Sequence, residues 1–326
     1  MNSWSDPKLP DIGLSLRRSL VLAACCLPLH ACGVHRDVKL KISHSEWPGY
    51  EYLNLAVAKG FVPNATVVSL KDQSEVVRAY LRGELDVVQL TTVDILDICS
   101  REPKECPVVV LVLNESLGGD QIMSLHLNLL SDLAGKSIGV SANSFGPFVL
   151  HKALESVGLS IDDVSIVPML VSEMPAQLST GAVDAVVIYP PNSEKAREFG
   201  AKTIFDSSEI PGEILDVLAV SPSVYASRKN DIKAILAAWF KAHQFSFDHS
   251  SKAVAAMAAN QDLTPQEFRE VLSGLVFHAT EREQEELLQP RGPVVENLEA
   301  VKQLMTNLNL FRQQTPSPRV SSELLP

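Results

Sequence analysis

Val76-Val77-Arg78-Ala79-Tyr80-Leu81-Arg82-Gly83-Glu84-Leu85-Asp86-Val87-Val88 and Pro175-Ala176-Gln177-Leu178-Ser179-Thr180-Gly181-Ala182-Val183-Asp184-Ala185-Val186-Val187 state one pattern twice, 98 residues apart from Gly83 to Gly181. In each, a helical stretch stops at a glycine suited to the left-handed end of a helix. An aspartate follows three residues on, and a β-branched apolar run begins. A helix that drops through a tight turn into a buried strand is the unit of an α/β layer. Two copies predict two similar lobes.

Outward from the first copy, the pattern reads strand 38–43, helix 50–59 closed by Gly60, strand 65–70, helix 73–81, strand 85–90 and strand 108–113. Around the second it reads strand 136–140, helix 147–157 closed by Gly158, strand 164–168, helix 174–180 and strand 183–189. Such alternation predicts mostly parallel sheets covered by helices, that is, two Rossmann-like lobes. Beyond about Asp231 the chain reads as helical, at 232–247, at 251–260 and in a segment opened by Thr264-Pro265-Gln266-Glu267, a capping box with Pro in the first turn. This C-terminal part is expected to pack on the first lobe. The division is 33–120 and 210–311 for lobe 1 and 121–209 for lobe 2. A flexible tail at 312–326, rich in Pro and Ser and lacking periodicity, follows.

The N-terminus reads as a leader. Arg17 and Arg18 precede residues 19–31, about thirteen mostly apolar residues, which suits a signal-peptide core and falls short of the roughly twenty needed to span a bilayer. The run ends Leu29-His30-Ala31-Cys32-Gly33, which resembles the lipobox of bacterial lipoproteins. The implied signal peptide is 1–31, with Cys32 as the lipidated (palmitate-bearing) residue. Leu22-Ala23-Ala24-Cys25 fits the same pattern, yet leaves only about six apolar residues after the arginines. Gly33 in place of Asp points to the outer membrane.

Without the leader about 290 residues remain, enough for two lobes of roughly 100–200 residues each. A composition of 46% hydrophobic and 21% charged residues is that of a globular protein. The net charge of −11 argues against nucleic acid, whose phosphates need a basic surface. Three of the five cysteines fall in the leader. The other two, Cys99 and Cys106, are seven apart and can close a small disulfide loop in an oxidising compartment. Neither a CxxC pair nor clustered histidines accompany them, so no metal and no cofactor is expected.

In open parallel sheets ligands sit beyond the carboxyl ends of the strands, where helix N-termini offer free N–H groups. After the first strand comes Glu46-Trp47-Pro48-Gly49-Tyr50-Glu51, an aromatic held by Pro and Gly before a helix. It can form a stacking wall or pack as a turn on its own lobe. After the third comes Gln89-Leu90-Thr91-Thr92-Val93-Asp94, readable as ligand hydroxyls or as a plain helix cap. After Val140 comes Ser141-Ala142-Asn143-Ser144-Phe145-Gly146-Pro147, small polar residues entering a helix. Glu173 precedes another helix, and Asp216 adjoins an apolar run where the chain crosses back. If buried, Asp216 needs a partner, and a ligand amine or amidine could supply it.

Trp47-Pro48-Gly49-Tyr50-Glu51, Gly83-Glu84-Leu85-Asp86, Leu133-Ala134-Gly135-Lys136-Ser137-Ile138-Gly139-Val140, Gly181-Ala182-Val183-Asp184-Ala185 and Pro211-Gly212-Glu213-Ile214 together resemble the periplasmic solute-binding proteins of ABC importers. The nearest group is the nitrate, sulfonate, taurine and thiamine-precursor binding proteins. The likeness covers about residues 37–311. It implies the type II periplasmic binding fold, two α/β lobes joined by two crossing strands that close on a ligand.

Carried over residue by residue, the resemblance places Trp47, Gly49, Tyr50 and Glu51 on one wall with Thr91, Thr92 and Asp94. Ser141, Asn143, Ser144, Phe145 and Gly146 face them from the other lobe, and Glu173, Tyr189 and Asp216 complete the cleft. Where similar proteins often carry an acid after the strand at Val187, this chain has Tyr189-Pro190-Pro191. The several acids favour an amine-bearing or zwitterionic small molecule over a simple oxyanion. The implied protein is a monomer on the periplasmic side that hands its ligand to an ABC permease. Two other uses of the fold stay open: a sensor acting on a membrane histidine kinase or diguanylate cyclase, and an enzyme. The HExxH, GxSxG, P-loop and GxGxxG patterns are absent, and the eight histidines are scattered.

Overall fold

The computed structural model describes residues 38–141 and 143–326; the leader and Cys32 lie outside the described residues. The chain enters with β1 (Leu40–His44), a 3-10 turn at Pro48–Tyr50, α1 (Glu51–Ala58), β2 (Ala65–Ser69), α2 (Gln73–Leu81), β3 (Val87–Thr91), α3 (Thr92–Arg101) and β4 (Val108–Ser116). It crosses into β5 (Gln121–Ser124), β6 (Ser137–Ser141), α4 (Phe145–Ser156), β7 (Ser165–Met169), α5 (Met174–Ser179), β8 (Ala185–Ile188), α6 (Asn192–Glu198) and β9 (Lys202–Asp206). It returns with β10 (Leu215–Val220), α7 (Pro222–Ser227), α8 (Lys229–Asp248), α9 (Ser250–Asn260), α10 (Pro265–Leu272), β11 (Leu275–Val276), α11 (Glu281–Leu287) and α12 (Pro293–Asn307). None of the described helices is long and apolar enough to cross a membrane.

Two sheets result, ordered β11-β4-β10-β3-β1-β2 and β7-β6-β8-β5-β9. The α/β class holds, but the sheets are mixed. Only β1 with β2 and β3, and β6 with β7 and β8, pair in parallel. The strands that leave and re-enter each lobe run antiparallel to their neighbours. β5 and β9 had no counterpart in the sequence reading, because four or five residues without regular alternation give no period to read. β3 and nearly all of β4 are buried on both faces, which explains their unbroken Val and Leu runs.

The sequence repeat has a structural cause. Gly83 and Gly181 close α2 and α5 at φ of 72° and 73°, a conformation that costs a side-chain-bearing residue. Asp86 then accepts the backbone N–H of Lys41 at 2.8 Å, and Asp184 accepts that of Ser137 at 2.8 Å. Each aspartate ties its own strand to the start of the parallel neighbour. The capping box at α10 forms as expected, with Thr264 and Glu267 exchanging backbone bonds. Cys99 and Cys106 are joined in a disulfide with Cα atoms 4.3 Å apart.

One expectation needs correction. The segment 312–326 is not a flexible tail. Val109 donates to the carbonyl of Arg319 at 2.8 Å, and Ser321 donates to the carbonyl of Val109 at 3.0 Å, so the segment lies along β4. The Tyr225 hydroxyl meets that of Ser321 at 2.7 Å, and Leu324 is fully buried. A single well-placed leucine and an open strand edge outweigh a composition that resembles disorder.

Candidate ligand cleft

The two crossings between the sheets are stitched at one serine. Ser207 Oγ lies 2.8 Å from Ser116 Oγ and accepts the N–H of Gly118 at 2.7 Å, while Ser207 N–H donates to the carbonyl of Asp120 at 2.9 Å. Beside this joint, the carboxyl ends of the strands from both sheets face one another.

From the first sheet, Asn114, Asp216 and Thr91 form a row across β4, β10 and β3, as direct cross-strand partners. Such partners project to one face. A register shift in the β4–β10 pairing beside Asp216 sets Asn114 opposite it. Over this row lies the 3-10 turn. Tyr50 donates its phenol to Asp216 Oδ1 at 2.5 Å, and Gln73 Nε2 reaches the phenol oxygen at 3.4 Å. Gly49 permits this packing, since a β-carbon there would fall 2.4 Å from Asn114 Nδ2 and 2.5 Å from Trp47 Nε1.

From the second sheet, Tyr189 meets Trp47 edge to face, with ring centroids 5.6 Å apart and planes at 87°. Asn143 Nδ2 donates across the cleft to Asp94 Oδ1 at 2.8 Å, and Ser141 donates to Asn143 Oδ1. Thr91 caps α3 and donates its hydroxyl to Asp94 Oδ2 at 3.0 Å. Asn192 Nδ2 reaches Glu46 at 3.3 Å, and Lys152 pairs with Glu213 at 2.9 Å, two further links between the lobes.

The electrostatics are one-sided. Asp94, Asp120 and Asp216 are buried, and none of the ion pairs among the described residues involves them. Desolvation, then repulsion from Asp97, pushes Asp94 up to about 8, against the bonds from Thr91 and Asn143. Desolvation lifts Asp120 to about 7. Asp216 is raised well above the usual carboxylate range by desolvation, opposed by the Tyr50 bond and reinforced by Asp120 and Asp94. The Trp47 indole N–H lies near enough to favour the ionised carboxyl, yet makes no hydrogen bond of good geometry. Tyr50 and Tyr189 are raised as well, chiefly by burial and then by nearby acids.

Around this core several buried polar atoms lack a hydrogen-bond partner: Asp216 Oδ2, both amide atoms of Asn114, Gln73 Oε1, Asn192 Oδ1 and Trp47 Nε1. Unpaired buried polar groups are costly, which makes these atoms candidates for ligand contact; others lie outside this region, on His44, Ser45, Gln89, Asp97, His151, Trp239, His243 and Gln261.

The structure therefore brings together Trp47, Gly49, Tyr50, Thr91, Asp94, Ser141, Asn143, Tyr189 and Asp216. The other six sequence-predicted residues lie elsewhere. Glu51 turns into lobe 1, accepting from Gln261 at 2.6 Å and Asn260 at 2.9 Å and lying 3.3 Å from His44. Thr92 donates to Asn297 on α12 at 2.6 Å, as its place inside α3 turns it from the cap position. Glu173 is exposed and caps its own turn, accepting from the N–H of Leu170 at 3.2 Å. Phe145 is packed in the core. Gly146 seats α4 against Ser141, where a β-carbon would lie 2.6 Å from Ser141 Oγ. Ser144 lines a groove of about 470 Å³ with Arg101 and Arg312, whose wall Ser141 and Asn143 share.

Sequence reading missed Asn114, Asp120 and Asn192. Asn114 ends an apolar run as the one amide in it, a signal that was present. Asp120 lies in the crossing between β4 and β5, and Asn192 opens α6, positions whose placement only the fold supplies.

Residues 120–253 match the family model described as NMT1/THI5 like. The chain matches none of the curated proteins by sequence. Among solved structures, it is similar to the alkanesulfonate-binding protein SsuA of Xanthomonas axonopodis pv. citri, at 16% identity and a TM-score of 0.71, over 85% of this chain and 96% of that one. It is similar to a Candida albicans gene product described as having the generic periplasmic binding protein fold, at 15% identity and a TM-score of 0.67, over 88% and 99%. The desulfurization enzyme DSZB also matches, at 19% identity and a TM-score of 0.61, over 85% and 94%. The chain thus has the type II periplasmic-binding-protein fold, with an NMT1/THI5-like domain spanning residues 120–253.

Proposed function

We propose that this protein is a lipid-anchored, extracytoplasmic solute-binding protein that captures a small organic cation between its lobes and delivers it to an ABC permease. The observation that carries the ligand class is a set of buried carboxyls that desolvation holds toward the neutral form and that no cation of the protein pairs with. Three buried carboxyls without an ion-pair partner sit among Trp47, Tyr50 and Tyr189, an environment that a positive, partly apolar ligand relieves. Asp94 of α3 is held by Asn143, two residues before α4, so an anion drawn to the N–H groups of that helix start would approach a carboxyl. The leader sequence ending at Cys32 supports export and anchoring at the outer membrane. The likeness to a binding protein whose name specifies alkanesulfonates supports transport, while the cleft supports a different solute.

Binding proceeds by closure. Asp94 with Asn143, Glu46 with Asn192 and Trp47 with Tyr189 are the contacts that form as the lobes meet, so a ligand that fits between them shifts the population toward the closed form. No catalytic step is proposed, although an enzyme shares the fold.

A thermal-shift screen of the purified protein against amines, amidines, amino acids, taurine, alkylsulfonates and nitrate tests this reading. Ligand at 100 times its Kd adds about 2.7 kcal/mol of stability. A shift with cationic compounds that is lost in Trp47→Ala and Asp216→Asn supports it. Shifts with sulfonates or nitrate alone overturn the cation.

A further inference from the structure

We infer that the solute is a planar cation, a guanidinium or amidinium, read edge-on by Asp216 and Asn114. This rests on the solute-binding reading above and narrows its ligand.

The unpartnered atoms define the complement. Four are acceptors (Asp216 Oδ2, Asn114 Oδ1, Gln73 Oε1 and Asn192 Oδ1) and two are donors (Trp47 Nε1 and Asn114 Nδ2). A complement to this set is rich in N–H and poor in acceptors. A sulfonate or carboxylate, which only accepts, leaves the four oxygens unpaired. An alkylammonium offers three donors spread around one nitrogen, whereas a guanidinium offers five in a plane, and an amidinium four.

Geometry favours the plane. Asn114 and Asp216 are direct partners on adjacent antiparallel strands, so their side chains project to one face of the sheet. Two acceptors in a row match the parallel N–H pair of a planar fork, the arrangement that makes Arg–carboxylate contacts bidentate. Asp216 Oδ1 is already occupied by Tyr50, which leaves Oδ2 without a hydrogen-bond partner, and a bound cation would hold this carboxyl ionised against desolvation. Trp47 and Tyr189 pack edge to face beside this row, so aromatic surface borders the unpartnered oxygens. Gly49 holds the indole and the amide together, since any β-carbon there would force Asn114 and Trp47 apart.

Calorimetry on the purified protein tests this with matched pairs: methylguanidine against methylamine, benzamidine against benzylamine, and methanesulfonate as the anion. The expected result is a Kd at least tenfold lower for the planar member of each pair. Asn114→Ala is expected to reduce that ratio to near one, with the amine Kd changed less. If Asn114→Ala fails to fold, Gly49→Ala serves instead, displacing the amide and the indole while leaving Asp216 in place, with the same loss of discrimination. Equal or tighter binding of the amines overturns the planar cation and leaves the organic-cation reading standing. Binding of methanesulfonate alone overturns both. No heat with any planar compound at millimolar concentration overturns the inference, whatever the amines do.

Discussion

The Tyr50 phenol donates to Asp216 at 2.5 Å across 166 residues of sequence, joining the turn after the first strand to the strand that re-enters the first sheet. It is the main contact that favours an ionised Asp216 against desolvation and against Asp120 and Asp94. Tyr50→Phe removes it while preserving the buried ring. A hydrogen bond to a charged group is worth about 1.5–3 kcal/mol, so cation affinity is expected to fall roughly ten- to hundredfold. Calorimetry at pH 7.5 checks this, and an unchanged Kd would assign Tyr50 to packing alone.

Asn143 couples the lobes through Asp94. Asn143→Ala leaves a buried carboxyl with one fewer donor and removes a contact across the cleft. The closed population and ligand affinity are expected to drop together, about three- to tenfold for a bond near 1 kcal/mol. Small-angle scattering with and without ligand checks the coupling; a variant that closes as the parent does would show the bond to be incidental.

Stability is expected to fall as pH rises above 6.5. Asp120 and Asp94, raised to about 7 and about 8, keep protons in the folded state that the unfolded chain loses near pH 4. The stability this confers is complete below pH 4 and is lost as pH climbs through 7 and 8. His44 and His243, lowered to about 4 and about 3 by burial, work the other way below 6.5, where unfolded imidazoles take up protons the folded ones refuse. Only above 6.5 do the acids act unopposed. Tm should decline from pH 6.5 to 8.5, and Asp120→Asn should flatten the decline. Affinity for a cation should rise over the same window, because the ionised acids bind it.

The C-terminal segment should be worth measurable stability. Deleting residues 313–326 exposes the β4 edge at Val109 and removes buried Leu324 and the Tyr225–Ser321 contact. The expected loss is about 2–4 kcal/mol from one buried leucine and a few hydrogen bonds. Urea unfolding measures it, and a midpoint equal to that of the full chain would mean the segment only rests on the surface.

Much of the scaffold was legible because it obeys short-range rules. Gly83 and Gly181 mark helix ends by the one backbone conformation that glycine takes freely, and Thr264 with Glu267 announces α10 by a reciprocal cap. Trp47, Tyr50 and Asp216 were legible as odd residues beside apolar runs. Glu51, Thr92 and Glu173 were misplaced for one reason: each sits at a helix start, where position along the chain is plain and the direction of the side chain is not. Thr91 faces the cleft and Thr92, one residue on, faces α12.

The sequence by itself determined the two-lobed α/β layering, the segments that end at the cleft and the excess of acids there, because periodicity, capping and turn chemistry act over a few residues. Only the tertiary structure decided which of those acids are buried without a partner and that Asn114 stands beside Asp216. It also laid the last residues along β4. Those facts depend on strand register and on contacts between residues more than two hundred positions apart, and no local pattern encodes them.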